Sequence, residues 1–402
     1  NQITMPWKES TTMEQKIDPM AIGFICEWRT GKYSITELCR AFEISRPTAY
    51  RLIDRFEKLG FEGLKEQSRS PQKHPNSTPE KIVESILELK TKHKLWGAKK
   101  IRILLFNDFT EEQIPSVVTV HNILKKNGLV CPQKRMRRVK PIFPIFDPKK
   151  CNEVWSADYK GKFLMGNKIY CHPLTIADSK SRFLFTAKGH YHEDIKSAKA
   201  EFTRVFRTYG IPQQLHTDNG SPFGSVRAIQ RFTQLSYWFI ELGIKPVFSD
   251  PAHPEQNGRH ERMHRDLKAA CAKPSAYDLK AQQRRLNHFV KEYNHIRPHE
   301  ALDMKTPAAM HDFSTRPYPE KIPDFDYDLT FRVLKVTRNG AIRWKTYYWV
   351  YLTAALKGKY VGLEDSGNGI WKAYYRDVFL GFFDERHLRS KESSTRLETN
   401  LV

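Results

Sequence analysis

Residues 154–191 read VWSADYKGKFLMGNKIYCHPLTIADSKSRFLFTAKGHY. Apolar and polar residues alternate here, broken by turn residues around Gly166-Asn167 and Ser179-Lys180, which predicts three successive strands: VWSADYKGKF, KIYCHPLTIAD and RFLFTAKGHY. Upstream of Val154 the patterning is helical, so this stretch is where the fold class is decided. Downstream, a helix from about Glu193 to Tyr209 precedes a short strand QQLHTD, a long helix ending near Leu242, the strand KPVFSD, and a last helix that opens within HPEQNGRHERMHRDLK, residues 253–268. The element order is β-β-β-α-β-α-β-α.

That order matches an RNase H-like α/β domain, whose first and fourth strands lie side by side. Asp158 in the first strand and Asp218 at the end of the fourth then come together, and Asn219-Gly220 supplies the turn that leaves the second carboxylate at the sheet's carboxyl end. Glu261 admits three readings. With His260 and His264 it forms H-E-x-x-H, in which two histidines one turn apart hold zinc and the glutamate acts as base. It also reads as the last of three acidic residues that hold magnesium for phosphoryl chemistry on DNA. The third reading is a surface helix with solvated charges. At about 100° per residue, Glu261, His264, Arg265 and Lys268 share one face, with Met263, Leu267 and Ala270 opposite. A carboxylate beside cations suits a phosphate backbone, whereas Arg262, Arg265 and Asp266 are out of place in a zinc-protease helix packed inside a protein. Asp178, in ADSKSR, is expected to hold a turn with Ser181 rather than a metal.

Composition narrows the partner. Among 402 residues, 67 are basic and 45 acidic, a net charge of +22, which implies a polyanion and, first among polyanions, nucleic acid. No apolar run approaches the ~20 residues of a membrane span and no signal peptide is evident, so the expectation is a soluble, cytoplasmic, nucleoid-associated bacterial protein with no membrane partner. Cys26, Cys39, Cys131, Cys151, Cys171 and Cys271 lie far apart without a C-x-x-C pair, which argues against a disulfide framework or zinc knuckle. MPWKE from Met5 reads as a natural beginning, with the first four residues an extension or remnant.

The flanks read as DNA-binding modules. Residues 13–64 form a first helix-turn-helix: Ser34 with Glu37 makes a capping box, and Ser45 with Pro47 opens RPTAYRLIDRFEKLG. Arg46, Thr48, Tyr50, Arg51 and Arg55 then face DNA. A linker, 65–77, leads to a second helix-turn-helix over 78–131, with Ser116, Thr119, His121 and Lys125 as DNA-facing positions. The basic linker 132–150, PQKRMRRVKPIFPIFDPKK, includes Arg137 and Arg138 and suits a phosphate backbone. The catalytic α/β domain occupies 151–312. Beyond a proline-containing connector, residues 325–390 read as a small β-barrel in which FRVLKVTR and AIRWKTYYWV flank Asn339-Gly340, a hairpin signal. Its Arg338, Arg343, Lys345 and Lys359 make it an accessory DNA binder.

VWSAD at Asp158, HTDNGSPF at Asp218, HPEQNGRHERMHRDLK at Glu261 and YNHIRPHEAL together resemble the integrase-like D-D-E transposases of bacterial insertion sequences. The resemblance runs from the first helix-turn-helix to the terminal barrel. It implies an RNase H-like core shared with retroviral integrases, and Asp158, Asp218 and Glu261 as catalytic ligands of two magnesium ions, for which manganese can substitute. It further implies recognition of terminal inverted repeats and target DNA, and an oligomer of at least two protomers on paired ends. Asn257 and Gly258 would form a mobile loop at the site's edge, with His264, Arg265 and Lys268 near the scissile phosphate. The chain departs from integrases in the long separation of Asp218 and Glu261, which a longer helix around Arg227 to Leu242 accommodates. The implied activity is metal-dependent strand cleavage and joining of 3′-hydroxyl ends. A DNA-binding regulator descended from a transposase is the alternative, and a zinc metalloprotease a distant one.

Overall fold

The computed structural model describes residues 18–65, 77–130, 147–159, 161–225, 228–249, 258–388 and 395–399, without the Arg259 side chain. The chain divides into two compact units, one up to Thr78 and one from Pro79 onward.

In the first unit, α1 (Pro19–Arg29), α2 (Ile35–Ala41) and α3 (Arg46–Leu59) pack around Phe24, Ile25, Leu38, Ala49 and Ile53. The local code acts as its residues dictate. Ser34 accepts the Glu37 amide while the Glu37 carboxylate accepts the Ser34 N–H, a complete capping box, and Ser45 caps α3 through the Thr48 amide.

The second unit opens with α4 (Glu80–Lys92), α5 (Ala98–Leu105) and α6 (Val117–Lys126) around Ile86, Ile101, Leu105 and Val120. His93 stacks on Trp96 at 4.0 Å and its Nδ1 lies 2.9 Å from Glu292, so this trihelical module is tied to the α/β domain.

The α/β domain is built on β1 (Val154–Tyr159), β2 (Phe163–Leu164), β3 (Tyr170–Asp178), β4 (Leu184–His190), β5 (Gln214–Thr217) and β6 (Lys245–Phe248). Strands β4, β3 and β1 are antiparallel neighbours, and β1, β5 and β6 continue in parallel. Strand alternation sorts the two faces. Trp155, Ala157, Leu174 and Ile176 point toward α7 (Ile195–Tyr209) and α8 (Gln234–Glu241), where Phe202, Phe206 and Phe239 complete the larger core. The opposite face carries Ala177, Leu184 and Ala187 against α9 (Gly258–Cys271) and α10 (Leu279–His295). Full burial of Met263 and Leu267 on α9 contributes about 1.5–3 kcal/mol each.

Three expectations are corrected. The long helix around Arg227 to Leu242 is only the eight-residue α8, preceded by a 3-10 turn at Ile229–Arg231. Gln230 and Arg231 both adopt left-handed backbone, φ 50° and 61°, which no α-helix accommodates. The carboxyl-terminal strands do not close into a barrel among the described residues. β7 (Arg332–Lys335), β10 (Tyr360–Asp365), β11 (Ile370–Tyr375) and β12 (Val378–Asp384) form one sheet, and β8 (Ala341–Trp344), β9 (Tyr348–Tyr351) and β13 (Thr395–Arg396) another. The Asn339-Gly340 turn forms, with the Thr337 N–H donating to the Ala341 carbonyl, yet β7 pairs with β10 and β8 with β9. The strands part there because Ile342 and Trp344 enter a core shared by the two sheets.

Candidate active site at the carboxyl ends of β1 and β5

Strand register assembles the first half of the site. β1 runs parallel to β5 with Ser156 beside His216, and Asp158 and Asp218 lie two residues further along their respective chains. Asp158, in β1, leaves the sheet on the α9 face, by parity with Ser156. The Asp158 side chain keeps 19% of its surface exposed. Asp218 follows β5 directly, and its Oδ1 accepts the Gly220 N–H at 3.1 Å. A Cβ on Gly220 would lie 3.0 Å from Asp218 Oδ2, so a bare glycine lets the turn close over the carboxylate. Burial pushes the Asp218 carboxyl above its ordinary range. The Gly220 amide acts in the opposite sense, and the negative charge of Glu193 adds to the rise.

Helix α9 is fastened to this sheet by its two histidines. The Thr175 hydroxyl donates to the Asp158 carbonyl at 3.0 Å, and His260 Nε2 and His264 Nε2 stand 2.8 and 2.6 Å from the same oxygen. With its one proton given to the carbonyl, Thr175 accepts from both rings. His260 Nδ1 meets Ser156 Oγ at 3.0 Å, and His264 Nδ1 lies 3.5 Å from Asp158 Oδ2. The two Nε2 atoms therefore converge on a hydroxyl, at the point that zinc would occupy in an H-E-x-x-H site. This placement corrects the expectation that His264 shares the phosphate-facing side. It is 2% exposed, while Glu261, Arg265 and Lys268 are exposed. The imidazole pair, hydrogen-bonded to Thr175, widens the buried seam of Met263 and Leu267 and displaces Ala270 outward.

Further along, Arg297 donates to Asp266 at 2.6 Å, and Asn294 exchanges two hydrogen bonds with the Leu184 backbone. The YNHIRPHEAL segment thus braces α9 and β4. Glu193, which sequence reading missed, adds a negative charge that raises the Asp218 carboxyl, and its Oε1 lies 2.8 Å from His172 Nδ1. Its neighbour Asp194 caps α7, so in the sequence the pair looks like ordinary helix-start chemistry.

The remaining expected contacts fall into three groups. Arg46, Tyr50, Arg51, His121 and Lys125 are exposed on α3 and α6, with Arg46 also donating to Thr36 Oγ1 at 2.6 Å. Others are engaged within the protein: Arg55 donates to the Lys65 carbonyl at 2.6 Å, Thr48 and Thr119 share hydrogen bonds with the capping Ser45 and Ser116, and Arg343 donates to the Thr346 carbonyl at 2.7 Å. Lys345 pairs with Glu385 and Lys359 with Glu241. Arg137, Arg138 and Asn257 lie outside the described residues.

Two family models described as integrase core domain match residues 148–254 and 242–307, and two described as homeodomain-like domain match residues 21–65 and 48–124. The Pro-Pol polyprotein of simian foamy virus type 1 is 31% identical over 167 residues, which is 39% of this chain and 14% of the polyprotein. An uncharacterized protein of insertion element IS136 from Agrobacterium fabrum (strain C58) is 33% identical over 92 residues, 23% of this chain and 44% of that protein. The chain thus spans less than half the length of either relative. The HTLV-2 integrase catalytic core domain, solved with magnesium, is 18% identical with a TM-score of 0.33, covering 41% of this chain and all of that one, a likeness too slight to add to the sheet order above.

Proposed function

We propose that this chain, whose residues 148–254 and 242–307 match integrase core domain models and whose residues 21–65 and 48–124 match homeodomain-like domain models, is a DNA transposase of the integrase-like kind. In this reading it binds terminal inverted repeats, cleaves strands and joins 3′-hydroxyl ends to a target. What supports the proposal is the parallel pairing of β1 with β5, in register at Ser156 and His216, with Asp158 and Asp218 each two residues further along and Glu261 in the first turn of α9.

The donor set fits a hard divalent cation. Three carboxylates supply only oxygen, as magnesium or manganese prefers, and a cation would favour the charged form of the Asp218 carboxyl, which burial first, and then the charge of Glu193, raises. Asp158, Asp218 and Glu261 would hold the metal. Bound there, it would acidify the attacking water or 3′-hydroxyl and stabilise the leaving oxygen of an in-line displacement. The rest falls to this chain's own residues. Arg265 and Lys268, exposed beside Glu261 on the outer face of α9, take the backbone phosphates flanking the scissile bond. His260, His264 and Thr175 hold the helix at a fixed height over β1, and Arg297 holds its middle through Asp266. The two helix-turn-helix modules present Arg46, Tyr50 and Arg51, and His121 and Lys125, to the repeat. Joining two ends calls for at least two protomers.

The test is strand transfer with the full-length protein, a duplex carrying the terminal repeat of its own element and a plasmid target, in magnesium, zinc or EDTA. Magnesium should give joined products, and EDTA should abolish them. Glu261→Gln should bind DNA and fail to join. Transfer by Glu261→Gln at the parental rate would remove Glu261 from the site, and sequence-specific binding without cleavage in any metal would make the protein a regulator.

A further inference from the structure

We propose that the carboxyl-terminal module is a working part of the catalytic site: it clamps the loop after β5, and Arg231 carries that clamp to Asp218 through Asn219. This rests on the reading of Asp218 as catalytic.

The loop folds back on itself. Gly224 pairs with Phe232 in an antiparallel bridge, and the Ser225 N–H donates to the Arg231 carbonyl at 2.9 Å. At its near end, Asn219 stands between two partners: its amide donates to the Ser249 carbonyl at 2.7 Å, and its Oδ1 accepts Arg231 Nη1 at 3.2 Å. The residue next to Asp218 is thus pinned by β6 on one side and by the far limb of the loop on the other.

That far limb belongs to the carboxyl-terminal module. Ile229 and Phe232 pack into the core formed by Ile342, Trp344, Val350 and Leu380, and Gln230 reaches the Leu380 carbonyl at 3.5 Å. Helix α8 continues the interface. Tyr237 meets Tyr375 edge-on at 5.4 Å, and the buried Glu241 accepts from Tyr375 Oη at 2.6 Å and pairs with Lys359 at 2.5 Å. Arg376 donates to the Glu241 carbonyl at 2.8 Å. A buried carboxylate met by a hydroxyl and an ammonium makes a fixed joint rather than a sliding one.

Backbone conformation gives the direction of control. Two consecutive residues that are not glycine, Gln230 and Arg231, are held left-handed, a conformation that persists only where surrounding packing imposes it. Here that packing is the carboxyl-terminal core on both sides, through Ile229 and Phe232. With the packing loosened, the limb relaxes, Arg231 leaves Asn219, and the turn that orients Asp218 loses its support.

The experiment uses the full chain with magnesium and a terminal-repeat duplex. Arg231→Met should lower kcat for strand transfer on the order of 100-fold, the scale for small misplacement of a reacting group, with KM for DNA unchanged. Arg231→Lys should recover part of the loss. Hydrogen exchange should quicken across 219–225 in Arg231→Met while 360–384 keeps parental protection, which separates lost positioning from lost folding. Tyr375→Ala, remote from Asp218, should quicken exchange across 228–232 and slow transfer as well. Arg231→Met joining DNA at the parental rate while Asp218→Asn is dead would overturn the clamp alone. An active Asp218→Asn would overturn the catalytic reading and the clamp with it.

Discussion

Asp158 and Asp178 stand at opposite ends of one antiparallel strand pair, where β1 and β3 place Asp158 across from Thr175 and Trp155 across from Asp178, and their surroundings differ in kind. Asp178 is 1% exposed, and its carboxylate accepts the Asn152 N–H at 2.9 Å and the Ser181 N–H and hydroxyl at 2.7 Å each. Its neighbours are engaged too: Cys151 donates to the Met310 carbonyl, and His311 contacts Ser181 and stacks on Phe183 at 4.5 Å. At the other end Thr175 gives its proton to the Asp158 carbonyl rather than to the carboxylate, whose side chain keeps 19% of its surface exposed with His264 Nδ1 3.5 Å from Oδ2. Each end brings an aspartate together with histidine in a group of potential metal-ligand atoms, Cys151 and His311 at Asp178 and His260 and His264 at Asp158. The difference lies in which atoms the protein's own donors meet: a carboxylate already filled by amides is a structural pin.

The sharpest way to break this contrast is Asp158→Asn. It should lower strand transfer by at least about 100-fold, the scale for losing a group that stabilises developing charge, with DNA binding by gel shift and the unfolding midpoint unchanged. Parental activity would erase the functional end. Asp178→Ala should do the reverse. Three donors lose their acceptor, which destabilises the fold by about 3 kcal/mol or more, read from urea unfolding, while transfer per folded molecule stays parental. A stable but inactive Asp178→Ala would exchange the two roles.

Thr175→Val probes the join between α9 and the sheet. The shape is kept while two imidazole donors lose their acceptor, so a loss of about 1–3 kcal/mol is expected, recovered in Thr175→Ser. An unchanged midpoint would show that the rings are not held by that hydroxyl. The smallest effect concerns His311, which burial holds below the ordinary imidazole value of 6.5, against the opposing charges of Asp178 and Asp312. Its contribution to stability is full above pH 6.5, where the unfolded chain is also neutral, and is lost as pH falls toward the folded pKa. His311→Phe should flatten that part of the pH dependence of the urea midpoint, and an unaltered slope would place the titration elsewhere.

Much of the architecture was legible because local signals are short-ranged. The Ser34-Glu37 capping box, the Ser45 cap and the alternation from Val154 each depend on neighbours within a few residues. The turn role of Asp178 was legible for the same reason. Failures came where distant packing overrode a local pattern. Residues 228–241 look helical, yet Ile229 and Phe232 are drawn into the carboxyl-terminal core and only α8 remains helical. Asn339-Gly340 makes its turn, but the strands it joins find partners in different sheets. A helical wheel put His264 beside Glu261 and Lys268, and it could not know that Thr175, eighty-nine positions away, would draw that imidazole inward.

Periodicity and charge, then, determined by themselves the order of elements, the trihelical modules, the strong basic excess and the acidic residues at strand ends, because these properties belong to runs of adjacent residues. Tertiary structure decided which groups meet: the register that sets Ser156 beside His216, the hydroxyl that gathers His260 and His264, and the seat of the carboxyl-terminal module on the loop after β5. Hydrogen-bond saturation and burial depend on residues far apart in the chain, and only the packed fold sets them.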